Sequence, residues 1–218
     1  MTLRGLRVLL TSGPTREPLD PVRYLTNASS GAMGFALAAE ARRRGAKVTV
    51  VCGPVSLPAP KGVTVVPVVT ALQMRRETLR RSRGAAVVIG AAAVADWRPA
   101  RFSTRKLKRG AGRASLTLTP NPDIIKDAAA RRLPGQVFVG FALETHRAAA
   151  YARRKLVRKG LDLVVANGPA TLASGRIRAT LVSRDGLKRL ATAPKPRVAR
   201  AILDEVSRLL ERRARRAD

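Results

Sequence analysis

The sequence predicts an α/β fold with a mostly parallel sheet, helices on both faces and one projecting basic arm. Three observations predict it. Short apolar runs alternate with helical patterns along most of the chain, the pattern of parallel sheets. The run Ala85–Ile89 is apolar without interruption, as a strand buried on both faces requires. The stretch from Thr11 to Gly34 is far longer than the usual strand-to-helix connection of about 2–6 residues. It follows the carboxyl end of the first strand, where such folds bind ligands.

The elements follow in order. The first strand is Arg7–Thr11. The first helix, Ala32–Arg44, carries Met33, Phe35, Leu37 and Ala41 on one face and stops at Gly45, a residue suited to a left-handed cap. Lys47–Cys52 is the second strand, broken by Gly53-Pro54. Val63–Val69 is the third, and Pro67 puts it at an edge or marks its end. Thr70 caps a helix over Ala71–Ser82, and Ala85–Ile89 is the fourth strand. From Trp97 to Arg113 the pattern is lost. Arg101, Arg105, Lys106, Lys108 and Arg109 crowd a segment flanked by Pro99, Gly110 and Gly112. Residues 97–113 read as a flexible arm or hairpin, followed by a half-exposed strand at Ala114–Thr119. Asn121-Pro122-Asp123-Ile124 opens a helix to Arg132, because proline is favourable in a first turn. Val137–Phe141 is strand five, Arg147–Lys159 a helix and Leu161–Ala166 strand six. Irregular chain through Gly175 leads to a strand at Ile177–Ser183 and a turn at Asp185-Gly186. The last helix is Arg197–Arg213, with residues 212–218 read as a frayed, disordered basic tail. All 218 residues fit one domain.

Composition narrows the function. Hydrophobic residues make up 45% and aromatics only 3%, so the core is built from Val, Leu, Ile and Ala. The net charge of +29 raises the prospect of a polyanion partner. The basic runs lie on or beside helices, and no aromatics interleave with them to stack bases, so no specific nucleic-acid partner is expected. Cys52 is the sole cysteine and His146 the sole histidine, which excludes an intrachain disulfide and a multi-histidine metal site. No apolar stretch reaches the ~18–20 residues of a membrane span, and no secretory signal opens the chain, so a soluble cytoplasmic protein without a membrane partner is expected.

Two stretches carry chemistry. Asn27-Ala28-Ser29-Ser30-Gly31 closes the long loop with side-chain caps and free N–H groups at a helix start, an arrangement that attracts phosphate. Gly90-Ala91-Ala92-Ala93-Val94-Ala95-Asp96 lets a ligand approach the backbone at the end of a buried strand. A dinucleotide site would need Gly-x-Gly-x-x-Gly after strand one and an acid closing strand two. Gly13-Pro14-Thr15 and Cys52-Gly53 stand there instead, and no Walker loop is present. Lys155 and Lys159, four apart, share one face of a helix, a spacing that on its own is more often a solvated face than a phosphate clamp.

These residues resemble a known family. Thr11 to Arg23, Leu25 to Gly34, Ala92 to Arg98, Lys106-Leu107-Lys108, Asn121 to Ile124, Val139 to Thr145, Ala152 to Lys159 and Asp162 to Asn167 are similar, in order, to blocks of bacterial phosphopantothenoylcysteine synthetases. The resemblance implies a Rossmann-like ligase that joins 4′-phosphopantothenate to L-cysteine in coenzyme A biosynthesis. In that reaction the carboxylate attacks the α-phosphate of CTP, pyrophosphate leaves, and the cysteine amine displaces CMP from the acyl-cytidylate. The same resemblance implies that Asn27 hydrogen-bonds the acyl group and that Gly90, Ala91, Ala92 and Asp96 form a cytidine shelf, with Phe141 near the base. Asn121, Pro122, Asp123 and Ile124 become a further nucleotide block. Lys106, Lys155 and Lys159 become nucleotide-binding lysines, Lys106 on the triphosphate, with Mg²⁺ on the phosphates and metal-binding side chains unassigned. Lys106, on the arm, closes over the site as a lid. A homodimer is expected. Many relatives fuse this domain behind a flavin-dependent decarboxylase, so a separate decarboxylase is a candidate partner, while a stand-alone domain implies no flavin.

The sequence departs from the family pattern at Ala28, where a basic residue is usual, at Ala32, where lysine is usual, and at Gly168, where aspartate is usual. Arg176-Ile177-Arg178 stands where an Asn-containing turn is expected. The rival reading is a catalytically degenerate relative that binds a nucleotide or polyanion. Asn27, Asp96 and the three lysines favour the enzyme.

Overall fold

The computed structural model describes residues 2–110, 112–143, 148–168 and 174–215. In chain order the first elements are β1 (Arg7–Ser12), β2 (Arg16–Pro18), β3 (Tyr24–Thr26), α1 (Ala32–Arg43), β4 (Lys47–Cys52) and β5 (Thr64–Pro67). There follow α2 (Ala71–Ser82), β6 (Val87–Gly90), β7 (Trp97–Pro99), β8 (Leu118–Pro120), α3 (Ile124–Ala129) and β9 (Val137–Leu143). The last are α4 (Ala148–Arg158), β10 (Leu163–Asn167), β11 (Arg176–Ser183), β12 (Gly186–Pro194) and α5 (Lys195–Ala214).

The main sheet runs β12-β11-β10-β9-β6-β1-β4-β5. From β10 to β5 every pairing is parallel, while β11 and β12 join antiparallel at one edge. The strands alternate between two apolar faces, as a period of two dictates. Val8 and Leu10 of β1, Val50 of β4, Ile89 of β6 and Val139 of β9 face a core shared with α1 and α5. Leu9, Val51, Val88 and Phe138 face a second core closed by α2, α3 and α4. Numbered by appearance, the parallel strands lie in the order of a doubly wound Rossmann-like sheet. The chain reverses direction across the sheet between β1 and β6.

Several boundaries differ from the sequence expectation. The helix expected through Arg132 ends at Ala129, because the chain turns there to bring Gln136 under the sheet, where its side-chain N–H donates to Ser82 and Ala85 carbonyls. The strand expected at Ala114–Thr119 forms only at Leu118–Pro120, where Trp97–Pro99 supplies a partner. Strand β12 and the β2–β3 hairpin inside the long loop were not expected. β12 is largely exposed, so no apolar period marks it; Lys188 and Arg189 stand on this edge and discourage pairing with another chain. β5 is the opposite edge and Pro67 closes it, as the sequence suggested. The start expected for α4 at Arg147, the histidine His146 and the tail residues 216–218 lie outside the described residues.

The tail expectation is corrected at its beginning. Arg212 and Arg213 belong to the last turn of α5, and Arg213 is held by Asp162 at 2.5 Å and by the Gln136 carbonyl. A partly buried carboxylate within reach draws the helix on beyond its last core-facing residues.

Helices α1 and α5 are tied by charge. Arg44 Nε donates to Glu40 Oε1 at 2.8 Å, and Arg44 Nη2 donates to Asp204 Oδ1 of α5 at 2.8 Å. Arg43 adds two bonds to Glu40 at 2.7 Å. Arg43 chiefly, then Arg44, holds the Glu40 carboxyl at about 2 against its usual 4.5, overcoming the upward push of burial. A depressed carboxylate stabilises the fold above its unfolded pKa and loses that contribution as pH falls through its folded one. Glu40→Gln is therefore expected to lower the melting temperature at pH 7, and the gap to the parent is expected to close between pH 4.5 and about 2. Thermal melts across that range check it; a gap independent of pH would assign the loss to packing.

Candidate active site

Open parallel sheets bind ligands beyond the carboxyl ends of their strands, at the point where strand order reverses. Here that point lies between β1 and β6, and a cavity of about 760 Å³ opens there. The long loop and α1 form one wall. The chain after β6 forms the shelf, and α3, α4, the ends of β9 and β10 and single residues of α2, β11 and α5 form the rest.

The close of the loop differs from a serine cap. Gly31 is the N-cap of α1, at φ 74°, and no side chain caps the helix. Ser29 Oγ accepts the Gly31 N–H at 3.3 Å and Ser30 Oγ accepts the Ala32 N–H at 3.4 Å. Gly31 takes the cap because the chain must turn left-handed to drop onto β1, where its carbonyl accepts the buried Ser12 hydroxyl at 3.1 Å. With no capping side chain and no acid in the first turn, the start of α1 is left positive beside the cavity.

The shelf is fixed by the loop. The Ala92 N–H donates to Thr11 Oγ1 at 3.3 Å, the Ala93 N–H to the Gly13 carbonyl at 2.9 Å, and the Ala95 N–H to Thr15 Oγ1 at 3.0 Å. Asn27 closes the set, its Nδ2 donating to the Val94 carbonyl at 3.0 Å and to Ala93 at 3.4 Å. The hydrogen bond to an acyl group expected of Asn27 would come from a side chain already bonded to the shelf. Its N–H groups are engaged by the shelf, and its carbonyl oxygen is the group left for a ligand.

Gly90, Ala91, Ala92, Asp96, Asn121, Pro122, Asp123, Ile124, Phe141, Lys155 and Lys159 all line this cavity with Asn27. Several are held by protein groups. Asn121 Nδ2 donates to Ala95 O at 2.8 Å and its Oδ1 accepts from Arg98 at 3.0 Å, so its amide ties the turn to the shelf. Asp123 caps α3, accepting the Lys126 N–H at 3.3 Å, and pairs with Lys159 Nζ at 2.6 Å. Lys155 Nζ donates to the Phe141 carbonyl. No group of three His, Cys, Asp or Glu side chains fit for a metal occurs among the described residues.

Lys106 is the exception, since it is not on the cavity wall. It lies in the exposed connection between β7 and β8, whose middle is pinned to the long loop. The Leu107 N–H donates to Asp20 Oδ2 at 3.1 Å, Arg23 Nη2 donates to the Leu107 carbonyl at 2.8 Å, and the Ser103 N–H donates to Leu19 O at 3.0 Å. Asp20 is buried and also accepts the N–H groups of Val22 and Arg23 at 2.9 and 2.8 Å. The Arg23 guanidinium, aided by these N–H groups, holds its carboxyl far below the usual carboxylate range.

Sequence reasoning missed Thr78 of α2, Ile125 of α3 and two further wall residues. Ile177 opens β11, and Lys195 opens α5. The Pro194-Lys195-Pro196 run hid the second, because it placed the helix start at Arg197.

With this geometry in view, the comparisons are specific. Residues 3–210 match the family model of the DNA/pantothenate metabolism flavoprotein C-terminal domain. The chain belongs to that family. The coenzyme A biosynthesis bifunctional protein CoaBC of Escherichia coli K12 is 42% identical over 221 residues, covering 98% of this chain and 54% of the relative. The chain thus spans about half the length of the curated relatives it matches. A solved C-terminal domain of a CoaBC protein is 37% identical, with a TM-score of 0.83 over 96% of this chain and 97% of that one. A Cab2 variant in complex with phosphopantothenate-cysteine is 19% identical, with a TM-score of 0.80 over 96% of this chain and 89% of that one. The last likeness shows the fold alone.

The hold on the arm is testable without ligand. Asp20→Ala removes the acceptor that positions both Arg23 and Leu107. Trypsin is expected to cut the Arg- and Lys-rich segment 101–113 several-fold faster in this variant, with cuts elsewhere unchanged. Equal rates at that segment would show that Asp20 does not hold the arm.

Proposed function

We propose that this chain is a phosphopantothenate–cysteine ligase of coenzyme A synthesis, using CTP and working in the cytoplasm. One observation carries the reading. The site residues that the resemblance implies, Lys106 apart, line a single cavity at the switch point of the sheet. The 42% identity with a coenzyme A biosynthesis protein along 98% of the chain supports it.

The chemistry has two steps. A carboxylate oxygen of 4′-phosphopantothenate attacks the α-phosphorus of CTP, and the bond to pyrophosphate breaks. The amine of L-cysteine then attacks the activated carbonyl carbon, CMP leaves and the amine loses a proton. The first step brings two anions together, so the site must neutralise charge before reaction. The uncapped start of α1, Lys155 and Lys159 supply positive potential on two walls. The shelf of small residues lets the nucleoside lie against backbone. Asn27, fixed by Val94 and Ala93, offers its oxygen beside the helix start, where it can orient the cysteine ammonium or the pantothenate hydroxyl and amide groups. That is a different duty from stabilising an acyl oxyanion. Lys106, which stands off the cavity wall, is brought over the site when the arm closes from its anchor at Asp20. Mg²⁺ neutralises triphosphate and is commonly held by phosphates, water and one or two carboxylates. Asp96, exposed on the wall and, among the described residues, without a side-chain hydrogen bond or ion pair, fits as such a carboxylate. A homodimer, and a decarboxylase supplied in fusion or as a separate partner, complete the proposal.

The second reading, a degenerate relative, rests on Ala28 and Ala32, which line the cavity where the family is usually basic. Release of pyrophosphate and formation of the amide with CTP, phosphopantothenate and cysteine separate the two, since nucleotide binding without turnover would favour the second.

Two further outcomes are expected. The kcat/KM for CTP should exceed that for ATP by at least about tenfold, since a wrong base leaves buried polar groups unpaired. Equal values would remove CTP from the proposal. Asn27→Ala should lower turnover by roughly 10²-fold, on the scale of losing one placed polar group. Its stability cost should be no more than about 1 kcal/mol, as for a lost turn or cap contact. A pyrophosphate-release assay beside a thermal melt reads both; a lowered melting point with normal turnover would leave Asn27 a loop residue only.

A further inference from the structure

Helix α5 begins at the cavity in an unusual way. It is 20 residues long, its N-cap is Pro194, no side chain caps it, and its first turn holds no acid. The first residue, Lys195, is only 9% exposed and lines the cavity. Its backbone N–H is taken by the Gly175 carbonyl at 3.2 Å, and Pro196 has none to offer. Among the described residues its ammonium makes no hydrogen bond or ion pair. Its stem is buried while its ammonium keeps contact with the cavity, and partial burial pulls its pKa below the usual lysine value. The other two cavity lysines differ: Lys159 is paired with Asp123, and Lys155 bonds the Phe141 carbonyl. Of the acids on the wall, Asp123 is thus neutralised, and Asp96 belongs to the shelf after β6. α1 and α5 pack on the same face of the sheet, and both present uncapped N-termini at the cavity. That face therefore adds two helix termini and one ammonium, all positive.

We propose that Lys195 and the N-terminus of α5 form an oxyanion subsite, which takes a phosphate or carboxylate group of the ligand in this cavity. The names of the candidate ligands rest on the ligase reading; the subsite does not. The oxyanion comes from the triphosphate of CTP, the phosphomonoester of 4′-phosphopantothenate or the carboxylate of L-cysteine, and binding distinguishes them.

The test uses the full chain and two variants, Lys195→Met, which keeps an apolar stem without the charge, and Lys195→Arg, which keeps the charge. Each is titrated with inorganic phosphate, inorganic pyrophosphate, CTP with Mg²⁺, 4′-phosphopantothenate and L-cysteine in a calorimeter, beside a thermal melt. Lys195→Met is expected to melt no lower than the parent, because the apolar stem is kept and no hydrogen bond or ion pair is lost. It is also expected to lose affinity about tenfold or more for the ligand whose oxyanion Lys195 holds, on the scale of one charge-assisted bond. Lys195→Arg should recover part of that loss. Unchanged affinity for every probe in a folded Lys195→Met protein overturns the subsite. A fall in melting temperature that accounts for the binding loss also overturns it, by making Lys195 structural. If the parent binds inorganic phosphate or pyrophosphate through Lys195 yet neither phosphopantothenate nor cysteine, the subsite stands and the ligase reading falls.

Discussion

The close approach of Gly34 to Ser12 sets the geometry on which the rest of the site depends. A Cβ on Gly34 would stand 2.3 Å from Ser12 Oγ and 3.3 Å from its Cα, so only glycine lets α1 descend this far onto the end of β1. Once there, Ser12 donates its hydroxyl to the Gly31 carbonyl and is wholly buried. The helix start is thereby fixed against the carboxyl end of the central strand. The loop that leads into it must then run alongside the chain that leaves β6. That shared course is why Thr11, Gly13, Thr15 and Asn27 can bond the shelf one after another. A ligand meets a helix terminus and a shelf whose spacing is decided by one missing side chain.

Charge in this protein follows a simple imbalance. There are 43 lysines and arginines against 14 aspartates and glutamates, so single acids gather several bases. Glu40 takes Arg43 and Arg44, Glu77 takes Arg80 and Arg81, and Asp162 takes Arg132 and Arg213. The exposed members of these sets contribute little each. Those with a buried acid decide geometry: Glu40 joins α1 to α5 through Arg44, and Asp20 joins the loop to the arm through Arg23. The excess of bases over acids raises the surrounding potential and favours any anion near the cavity.

The scarcity of acids also shapes the cavity. Asp123 is both the cap of α3 and the partner of Lys159, so one carboxylate sets the position of a helix start and of a lysine on the neighbouring helix. Asn121 does the same between the shelf and Arg98. The residues best suited to touch ligand are those left over from this scaffold, among them the Asn27 oxygen, the start of α1, Asp96 and Lys195.

The sequence by itself determined the fold class, the long loop as the place of the site, and most of the residues on the cavity wall. It did so because both signals are local. An apolar period is written in consecutive residues, and the ordered blocks Asn27 to Gly31, Gly90 to Asp96 and Asn121 to Ile124 are each continuous in the chain. It also marked Pro67 as a strand end, since proline cannot donate to a ladder. Only the tertiary structure decided which groups on those residues are free. Asn27 faces the site with its oxygen because the Val94 carbonyl lies across a gap of 67 positions in sequence. Arg213 is helical because Asp162 is near, and Lys195 is a wall residue because β11 and β12 return α5 to the sheet. Strand β12 left no apolar period to read because it is an exposed edge. Hydrogen bonds and ion pairs between distant segments depend on which atoms meet after packing, and no pattern of neighbours in the chain encodes that meeting.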